Sequence, residues 1–307
     1  MPEPVIDVAN LVKSYGSTPA LRGLDLQVEP GQVFGFLGPN GAGKTTTIRI
    51  LLDLIRPNSG SARVLGLDPR HDGVALRRRL GYLEGDFVVD GRQSGHQLLT
   101  YLGNLRGGVP APRIAELAQR LQLDLRPRIR TLSKGNRQKV GLIQAFMHEP
   151  ELLILDEPTA GLDPFLQHEF TAMAREVVAE GRTVFMSSHV MSEVQKTADR
   201  VGIIRDGVMV SIDDVEGLRA SSVRNVEIVF AEPVPAAQFA ALDGVKDLTV
   251  TGEVLRCRLD GSADALVKAA ATHTVLSLTS EEPDLEEVFF HRYANGPDAR
   301  GTSGAAS

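Results

Sequence analysis

The residues best suited to chemistry lie in a glycine-rich stretch near the N-terminus. Residues 38–46 read GPNGAGKTT, which fits the spacing G-x-x-x-x-G-K-[ST]. The glycines let consecutive backbone N–H groups curve around an anion, because no Cβ stands in the way. Lys44 can reach the outer phosphates of a nucleotide as a point charge, and the Thr45 hydroxyl can bind Mg²⁺. The sequence therefore predicts a nucleotide-binding loop.

Two acidic residues form a second group with a chemical role. The apolar run at residues 152–155 is typical of a parallel strand that is buried on both faces, and Asp156 and Glu157 follow it directly. A carboxylate at the end of a buried strand is unfavourable unless it has a ligand there. We expect Asp156 to hold Mg²⁺ and Glu157 to orient and deprotonate a water. The alternative is that both carboxylates only cap the strand.

A third candidate is the start of a helix just upstream of that strand. Residues 131–139 read TLSKGNRQK, where Ser133 is suited to cap a helix and Gly135 lets a ligand approach the backbone. A helix N-terminus attracts anions because its first N–H groups are unpaired and the dipole is positive there. We predict a second phosphate contact at this helix start.

The surrounding pattern predicts the elements that position these groups. A strand at residues 33–37 runs into the glycine-rich loop, and the helix from Thr45 should end near residue 55, because Pro57 disfavours the helical state at its predecessor. Short strands are expected before the loop, and apolar residues at helical spacing predict a helical segment at about 86–145. Further buried strands and a hairpin follow, so residues 1–215 are predicted to form one α/β domain. Besides 33–37, its predicted strands are 5–9, 24–28, 152–155 and 183–186, and the hairpin spans 201–211.

After that domain the pattern changes to β-α-β-β-α-β, the order of a ferredoxin-like α+β unit. We assign this accessory domain to residues 216–293, with a last helix at 284–293. Residues 294–307, which are rich in Gly, Ala and Ser, are predicted to be a disordered tail.

Composition and charge limit the possible functions. The chain has 307 residues, 42% of them hydrophobic, and we find neither a membrane-spanning run nor a signal peptide. The single Cys257 excludes an internal disulfide. Residues 216–307 hold 8 basic and 14 acidic residues and carry the whole net charge of −6. We therefore predict a cytoplasmic protein that does not bind nucleic acid.

Taken together, these motifs resemble the nucleotide-binding subunit of a bacterial ATP-binding-cassette (ABC) transporter. The resemblance implies a P-loop NTPase fold with a RecA-like core and a helical subdomain. Its matches in chain order are the Walker A loop at 38–46, the signature loop at 132–138, Walker B at 153–157, the D-loop at 161–163 and the switch histidine at His189.

The resemblance also implies a role for each matching residue. Lys44, Glu157 and His189 are the implied catalytic residues, and Thr45 and Asp156 the implied Mg²⁺ ligands. Tyr15 stands where the family places an aromatic ring that stacks on adenine, although it could equally be an ordinary strand aromatic. The implied contacts to ATP are Tyr15, Gly38, Pro39, Asn40, Gly41, Ala42, Gly43, Lys44, Thr45, Thr46, Ser133 and Gly135.

In this family Ser133 and Gly135 would contact ATP bound to a second subunit in a head-to-tail dimer. The resemblance further implies an integral membrane permease as partner and a peripheral location on the inner face of the membrane. Residues 216–293 resemble the accessory domain of drug- and antibiotic-export ATPases. Two other interpretations stay open: a soluble ABC ATPase acting on ribosomes or DNA, and an importer ATPase that would share the same cassette.

The chain departs from the family pattern in two loops. Lys134 and Asn136 replace a usual glycine and glutamine in the signature loop. After Gly81-Tyr82-Leu83, where the family usually has proline and then glutamine, this chain has Glu84 and Gly85, followed by Asp86. We hypothesise that Asp86, rather than Glu84, replaces the missing amide near Mg²⁺. The alternative is that both acids face solvent and the loop only contacts the membrane partner.

Overall fold

The computed structural model describes residues 3–88, 91–220 and 224–281. Contacts between residues divide the chain into two compact units, and the boundary lies between Asp214 and Val215. Each unit has its own hydrophobic core. The predicted helix at 284–293 and the predicted tail at 294–307 lie outside the described residues.

The N-terminal unit contains two sheets. Their strands in chain order are β1 (Ile6–Tyr15), β2 (Thr18–Val28), β3 (Val33–Leu37), β4 (Ser59–Val64), β5 (Leu80–Leu83), β6 (Leu152–Asp156), β7 (Thr183–Ser188), β8 (Arg200–Arg205) and β9 (Val208–Asp214). The larger sheet has the order β5-β6-β7-β3-β8-β9, in which only the pairing of β8 with β9 is antiparallel. The smaller sheet, β2-β1-β4, is antiparallel.

The helices of this unit connect the parallel strands, as expected because a parallel pair needs a long crossover. They are α1 (Lys44–Leu51), α2 (Gly73–Arg79), α3 (Gly95–Leu105), α4 (Ala111–Arg120), α5 (Lys134–Phe146), α6 (Pro164–Ala179) and α7 (Met191–Thr197), with a 3₁₀ turn at Ile129–Thr131. The helices α3, α4 and α5 lie between β5 and β6 in sequence, where the sequence predicted helices within about 86–145.

One hydrophobic cluster joins both sheets to α1. Every residue of β3, β6 and β7 is buried, and Phe34 and Phe36 of β3 pack against Phe185 of β7 with ring centroids 5.8 and 5.4 Å apart. Strands buried on both faces read as continuous apolar runs, which is why the sequence predicted them. The core therefore fixes the carboxyl ends of these three strands.

The turn between β8 and β9 was predicted correctly from two residues. Asp206 and Gly207 have φ angles of 51° and 78°, and a two-residue hairpin of this kind requires φ above zero at both positions. The helix α1 was predicted too long. It ends at Leu51 rather than near residue 55, because Asp53 has φ 53° and turns the backbone into the left-handed region before Pro57 is reached.

The strands β1 and β2 are also longer than the short strands predicted at 5–9 and 24–28. Register shifts interrupt their pairing between Val8 and Val12, and Asn10 has φ 48°. A bulge breaks the period-two alternation that marks a strand, so the sequence pattern did not show one continuous ladder.

The second unit begins with α8 (Val215–Ala220) and continues as β10 (Arg224–Phe230), α9 (Ala236–Ala240), β11 (Val245–Thr251), β12 (Val254–Leu259), α10 (Asp264–Ala270) and β13 (Val275–Glu281). Its sheet has the order β11-β12-β10-β13 with every pair antiparallel. This confirms the predicted β-α-β-β-α-β order. Within the described residues of either unit, no helix has the length and apolar character needed to cross a bilayer.

Candidate functional site

The glycine-rich loop sits between β3 and α1 in a space that side chains would fill. A Cβ on Gly38 would lie 2.4 Å from the backbone oxygen of Ile204, and one on Gly43 would lie 2.8 Å from that of Ala20. Gly43 also has φ 111°, which is strained for any residue with a side chain. Glycine is therefore required at both positions so that the loop can close against its neighbours.

Lys44 is held inside this loop, with only 6% of its surface exposed. Its Nζ donates to the backbone oxygens of Gly38 at 2.6 Å and Pro39 at 3.3 Å, and it lies 3.5 Å from Oε1 of Glu157. A buried ammonium group needs such partners. The lysine is consequently fixed as a positive charge at the centre of the loop.

Thr45 and Asp156 meet beside the lysine. The Thr45 hydroxyl donates to Oδ2 of Asp156 at 2.8 Å, and Ser187 Oγ donates to Oδ1 of the same carboxylate. Asp156 is buried, so these bonds satisfy an otherwise costly charge. The pair of hard oxygen ligands, Thr45 and Asp156, fits Mg²⁺, which binds few protein side chains and takes its other ligands from phosphates and water.

Glu157 follows Asp156 in an uncommon backbone conformation, with φ 50°. Its backbone N–H donates to Ser187 Oγ at 3.0 Å, and Oε2 lies 2.8 Å from Nδ1 of His189. A non-glycine residue with positive φ needs such support from its surroundings. The structure thus brings together the three residues that the sequence predicted as catalytic, Lys44, Glu157 and His189.

These groups surround an open cleft of about 380 Å³. Residues 39–41 and 43–46 line it, together with Asp156 and Glu157. The glycine-rich side of the cleft therefore offers backbone N–H groups and the Lys44 ammonium, and the end of β6 adds the carboxylates of Asp156 and Glu157. In the described part of the chain, no cluster of three or more His, Cys, Asp or Glu side chains forms a separate metal cage.

Ser133 and Gly135 lie outside this cleft. Ser133 caps α5 as predicted, because its Oγ accepts from the backbone N–H of Asn136 at 3.2 Å. A Cβ on Gly135 would stand 2.8 Å from the backbone oxygen of Gly161. The glycine is thus needed for contact with the loop after β6. The predicted phosphate contact of these two residues cannot be made to the same cleft from this position.

Tyr15 ends β1 and is 49% exposed. Tyr15 is not among the described residues that line the cleft, whereas Ala20 on the neighbouring strand β2 is one of them. The ammonium group of Lys13 lies 5.3 Å from the centroid of the Tyr15 ring, a distance at which a cation is attracted to the aromatic face. Stacking of Tyr15 on adenine stays a prediction.

The loop after β5 forms the wall opposite the glycine-rich loop, through Glu84, Gly85 and Asp86. Glu84 pairs with Arg49 of α1 at 3.3 Å. A Cβ on Gly85 would lie 3.5 Å from Oδ2 of Asp156, so the backbone passes close to that carboxylate. Burial raises the pKa of Tyr82, and the nearby carboxylates of Glu84 and Asp156 raise it further.

Sequence reasoning missed two residues that hold this site together. Ser187 bridges the Asp156 carboxylate and the Glu157 backbone, and Glu193 on α7 accepts hydrogen bonds from three separate segments. Ser187 could have been found, because it stands two residues before His189 and directly follows the strand predicted at 183–186. Glu193 carries no motif that points to it.

A buried parallel sheet with a glycine-rich loop at the end of β3 and two carboxylates at the end of β6 defines a P-loop nucleotide-binding protein. The family model for ABC transporters matches residues 21–160. The daunorubicin/doxorubicin resistance ATP-binding protein DrrA of Streptomyces peucetius is 34% identical, with 99% of this chain and 97% of that protein covered. The linearmycin resistance ATP-binding protein LnrL of Bacillus subtilis is 30% identical, with 94% of this chain and 97% of that protein covered.

Solved structures show the same similarity in three dimensions. An ATP-binding subunit of an ABC transporter superposes with a TM-score of 0.64 at 26% identity and covers 70% of this chain and 92% of its own. The cassette MJ0796, in a dimeric post-hydrolysis state bound to ADP and Pi, shares the fold with a TM-score of 0.63 at 20% identity and covers 68% of this chain and 98% of its own. The chain belongs to the ABC transporter family, as an ATP-binding subunit and ATPase.

Proposed function

We propose that this ATPase powers the export of a drug-like or antibiotic compound through a separate transmembrane permease. The observation that carries the chemical part is the junction of β3, β6 and β7, where Lys44, Asp156 and Glu157 line one cleft and His189 contacts the Glu157 carboxylate. A phosphoryl group in that cleft would face one fixed cation and one partly solvated carboxylate. This is the arrangement that γ-phosphate hydrolysis requires.

The chain's own residues divide the work of hydrolysis. The backbone of residues 38–43 and Lys44 would bind the β- and γ-phosphates and neutralise their charge. Glu157 would hold a water in line and accept its proton at the carboxylate. His189, whose Nδ1 faces the Glu157 carboxylate, would orient that carboxylate and contact the γ-phosphate. The side chains of Thr45 and Asp156 would hold Mg²⁺, which would supply positive charge to neutralise the phosphates.

The site needs a second cassette. Ser133 and Gly135 start a helix suited to an anion, yet they pack beside Gly161 and away from the cleft of their own chain. A head-to-tail dimer would place this helix start of one protomer over the cleft of its partner. ABC ATP-binding subunits generally dimerise and pair with transmembrane subunits. A homodimer on the inner face of the cell membrane is the form that we propose here.

Export is favoured over the other uses of this fold by the relatives. DrrA and LnrL are named for resistance to daunorubicin or doxorubicin and to linearmycin, and the Nod factor export ATP-binding protein I of Paraburkholderia xenovorans is 34% identical over 97% of this chain and 96% of its own. In each case the similarity extends through the second unit. An importer would share the cassette, so this extension is what supports export.

Two variants test the ATPase assignment directly. Glu157→Gln keeps the shape of the side chain but cannot accept a proton. It should bind MgATP while hydrolysing it at least about 100-fold more slowly, and it should accumulate as an ATP-bound dimer in size-exclusion chromatography. Lys44→Ala should weaken nucleotide binding itself, measured with a fluorescent ATP analogue. Normal turnover of Glu157→Gln would remove this glutamate from the mechanism.

Export is tested in cells that produce this chain together with its separate transmembrane permease. The unmodified pair should lower the accumulation of a fluorescent anthracycline, whereas the pair with Glu157→Gln should not. Equal accumulation in both strains, with intact ATPase activity of the purified protein, would contradict this substrate class but not the ATPase.

A further inference from the structure

Glu193 connects two segments that carry the reacting groups. It lies in α7, just after His189, and its carboxylate accepts from Thr159 Oγ1 at 2.7 Å, Ser188 Oγ at 3.0 Å and Gln167 Nε2 at 3.4 Å. We propose that Glu193 is a positioning residue for ATP hydrolysis, which holds the turn of His189 and the loop of Glu157 in one arrangement. The inference rests on the proposed function.

The first segment is the turn that carries the histidine. Ser188 Oγ accepts from the backbone N–H of Val190 at 3.0 Å and donates to Glu193. The hydroxyl thus closes a small turn across His189, and Glu193 fixes the direction of that hydroxyl. Because Ser188 is fully buried, no solvent can replace the lost acceptor without a local rearrangement.

The second segment is the loop that follows Glu157. Thr159, which is also buried, lies within two consecutive turns: the backbone N–H of Ala160 donates to Glu157 O, and that of Leu162 donates to Thr159 O, both at 3.1 Å. A hydroxyl bond from Thr159 to Glu193 therefore fixes the loop immediately after the general base.

Gln167 adds a third tie to the same loop. Its amide lies 3.4 Å from both Glu193 Oε1 and the backbone oxygen of Leu162. The far end of the loop packs against Gly135 at the start of α5. Through Glu193, the histidine turn, the loop of the base and the beginning of α5 are therefore held to one another.

The position of this carboxylate explains what it can do. Two buried donors converge on one oxygen, Oε2, from the histidine side and the glutamate side of the site. The 2.8 Å contact between His189 Nδ1 and Glu157 Oε2 depends on the relative position of these two segments. Because a misplacement of about 1 Å can cost about 100-fold in rate, loosening either segment should slow hydrolysis without removing a group that binds nucleotide.

All three hydrogen-bond donors to Glu193 are neutral, which suggests a rescue experiment. Glu193→Ala should lower kcat for MgATP about 10- to 100-fold and leave the KM and the affinity for a fluorescent ATP analogue within about threefold. Glu193→Gln retains an amide oxygen that can accept from Thr159 and Ser188, and it should keep at least about one third of kcat. Ser192→Ala, at an exposed position of the same helix, is the matched control and should change neither value.

Single donors can be removed if Glu193→Ala fails to fold. Thr159→Val and Ser188→Ala should each lower kcat by a larger factor than the factor by which they change KM. Where Glu193→Ala does fold, neither change should slow that variant further, because the hydrogen bond is already absent there.

Three results would overturn the inference: wild-type kcat in Glu193→Ala, a Glu193→Gln chain as slow as Glu193→Ala, or full additivity with Thr159→Val. Absence of MgATP hydrolysis by the unmodified chain would instead overturn the proposed function.

Discussion

The two units of this molecule use their sheets in opposite ways. In the cassette, β3, β6 and β7 are buried on both faces, so polar chemistry is confined to the carboxyl ends of the strands. In the second unit, β10 and β12 alternate between buried and more exposed residues, so this part of the sheet has a buried face and an open face. The first arrangement concentrates function in a few positions that a sequence motif can mark, whereas the second distributes polar residues along whole strands.

The open face of the second unit shows what such a distribution means. Glu227 and Arg256 are cross-strand neighbours with a 2.6 Å ion pair, and Asp247 lies 3.5 Å from Arg258. Opposite charges facing each other across strands stabilise a sheet modestly. Because these charges are paired with one another, the face is not a site of concentrated positive charge for phosphate, in contrast to the loop around Lys44.

If the units are as separate as their cores indicate, a core mutation in one should spare the other. Phe239 is fully buried and packs on Phe230 with ring centroids 5.9 Å apart. Phe239→Ala should lower the free energy of unfolding of the second unit by about 3–5 kcal/mol and leave the affinity for MgATP unchanged.

Val267→Ala, at a half-exposed position of the same unit, is the control and should cost far less. Denaturant unfolding followed by circular dichroism, together with nucleotide binding, measures both effects. A parallel loss of nucleotide affinity in Phe239→Ala would show that the cassette depends on the second core.

A smaller effect is expected from His148, a partly buried histidine of the cassette. Burial, followed by the charge of Arg106, lowers the pKa of His148 from 6.5 to about 4. The pKa is lower in the folded chain, so protonation favours unfolding. The stability that the neutral ring contributes is complete above pH 6.5 and is lost as the pH falls toward 4.

His148→Gln should therefore flatten the acid side of the stability curve by about 1–2 kcal/mol between pH 7 and pH 4. The exposed His168 provides the control, His168→Gln, whose curve should follow that of the unmodified protein. Thermal unfolding at several pH values makes the comparison. An unchanged acid slope in His148→Gln would mean that this ring titrates alike in both states.

The smallest effect is expected when acidic residues of the loop after β5 are compared with an acidic residue on the sheet of the second unit. In the part of the chain that the structure describes, Asp86 is exposed at the cleft and has no ion-pair partner, whereas Glu84 is paired with Arg49. Asp86→Ala should lower Mg²⁺-dependent hydrolysis about threefold to tenfold, the scale of one hydrogen bond or water-mediated ligand, and should affect ATP affinity less.

Glu84→Ala should do little, and Asp247→Ala, which removes an acid from the sheet of the second unit, should leave hydrolysis unchanged. Steady-state rates over a Mg²⁺ titration decide the matter. If Asp86→Ala and the double variant with Glu84→Ala both keep normal rates and Mg²⁺ dependence, the loop is a contact surface only.

The sequence predicted best where local chemistry and burial agree. Apolar runs located β3, β6 and β7, and a cap residue located the start of α5, where Ser133 accepts from the backbone as expected. The strand β4 was not predicted, because five of its six residues are at least partly exposed and its sequence, SGSARV, shows no alternation.

The sequence located residues that line the cleft but not the residues that support them. Lys44, Thr45, Asp156 and Glu157 follow from motif spacing, because each acts from a fixed place on a strand or loop. Glu193 could not be predicted, since its role depends on three donors, two of which, Thr159 and Gln167, are distant in sequence and reach it only through packing. For the same reason the Arg49–Glu84 pair was not foreseen.

The last two residues of β7 have a further consequence. Consecutive side chains of a strand point to opposite faces, so Ser187 serves Asp156 and Glu157 while Ser188 serves Glu193 and the histidine turn. Deleting one residue of β7 before these serines would turn each serine to the opposite face of the sheet. Both sets of hydrogen bonds would then be lost, although the serines themselves would be unchanged. The length of this strand is therefore constrained by parity: an insertion or deletion of one residue is forbidden where many single substitutions would be tolerated.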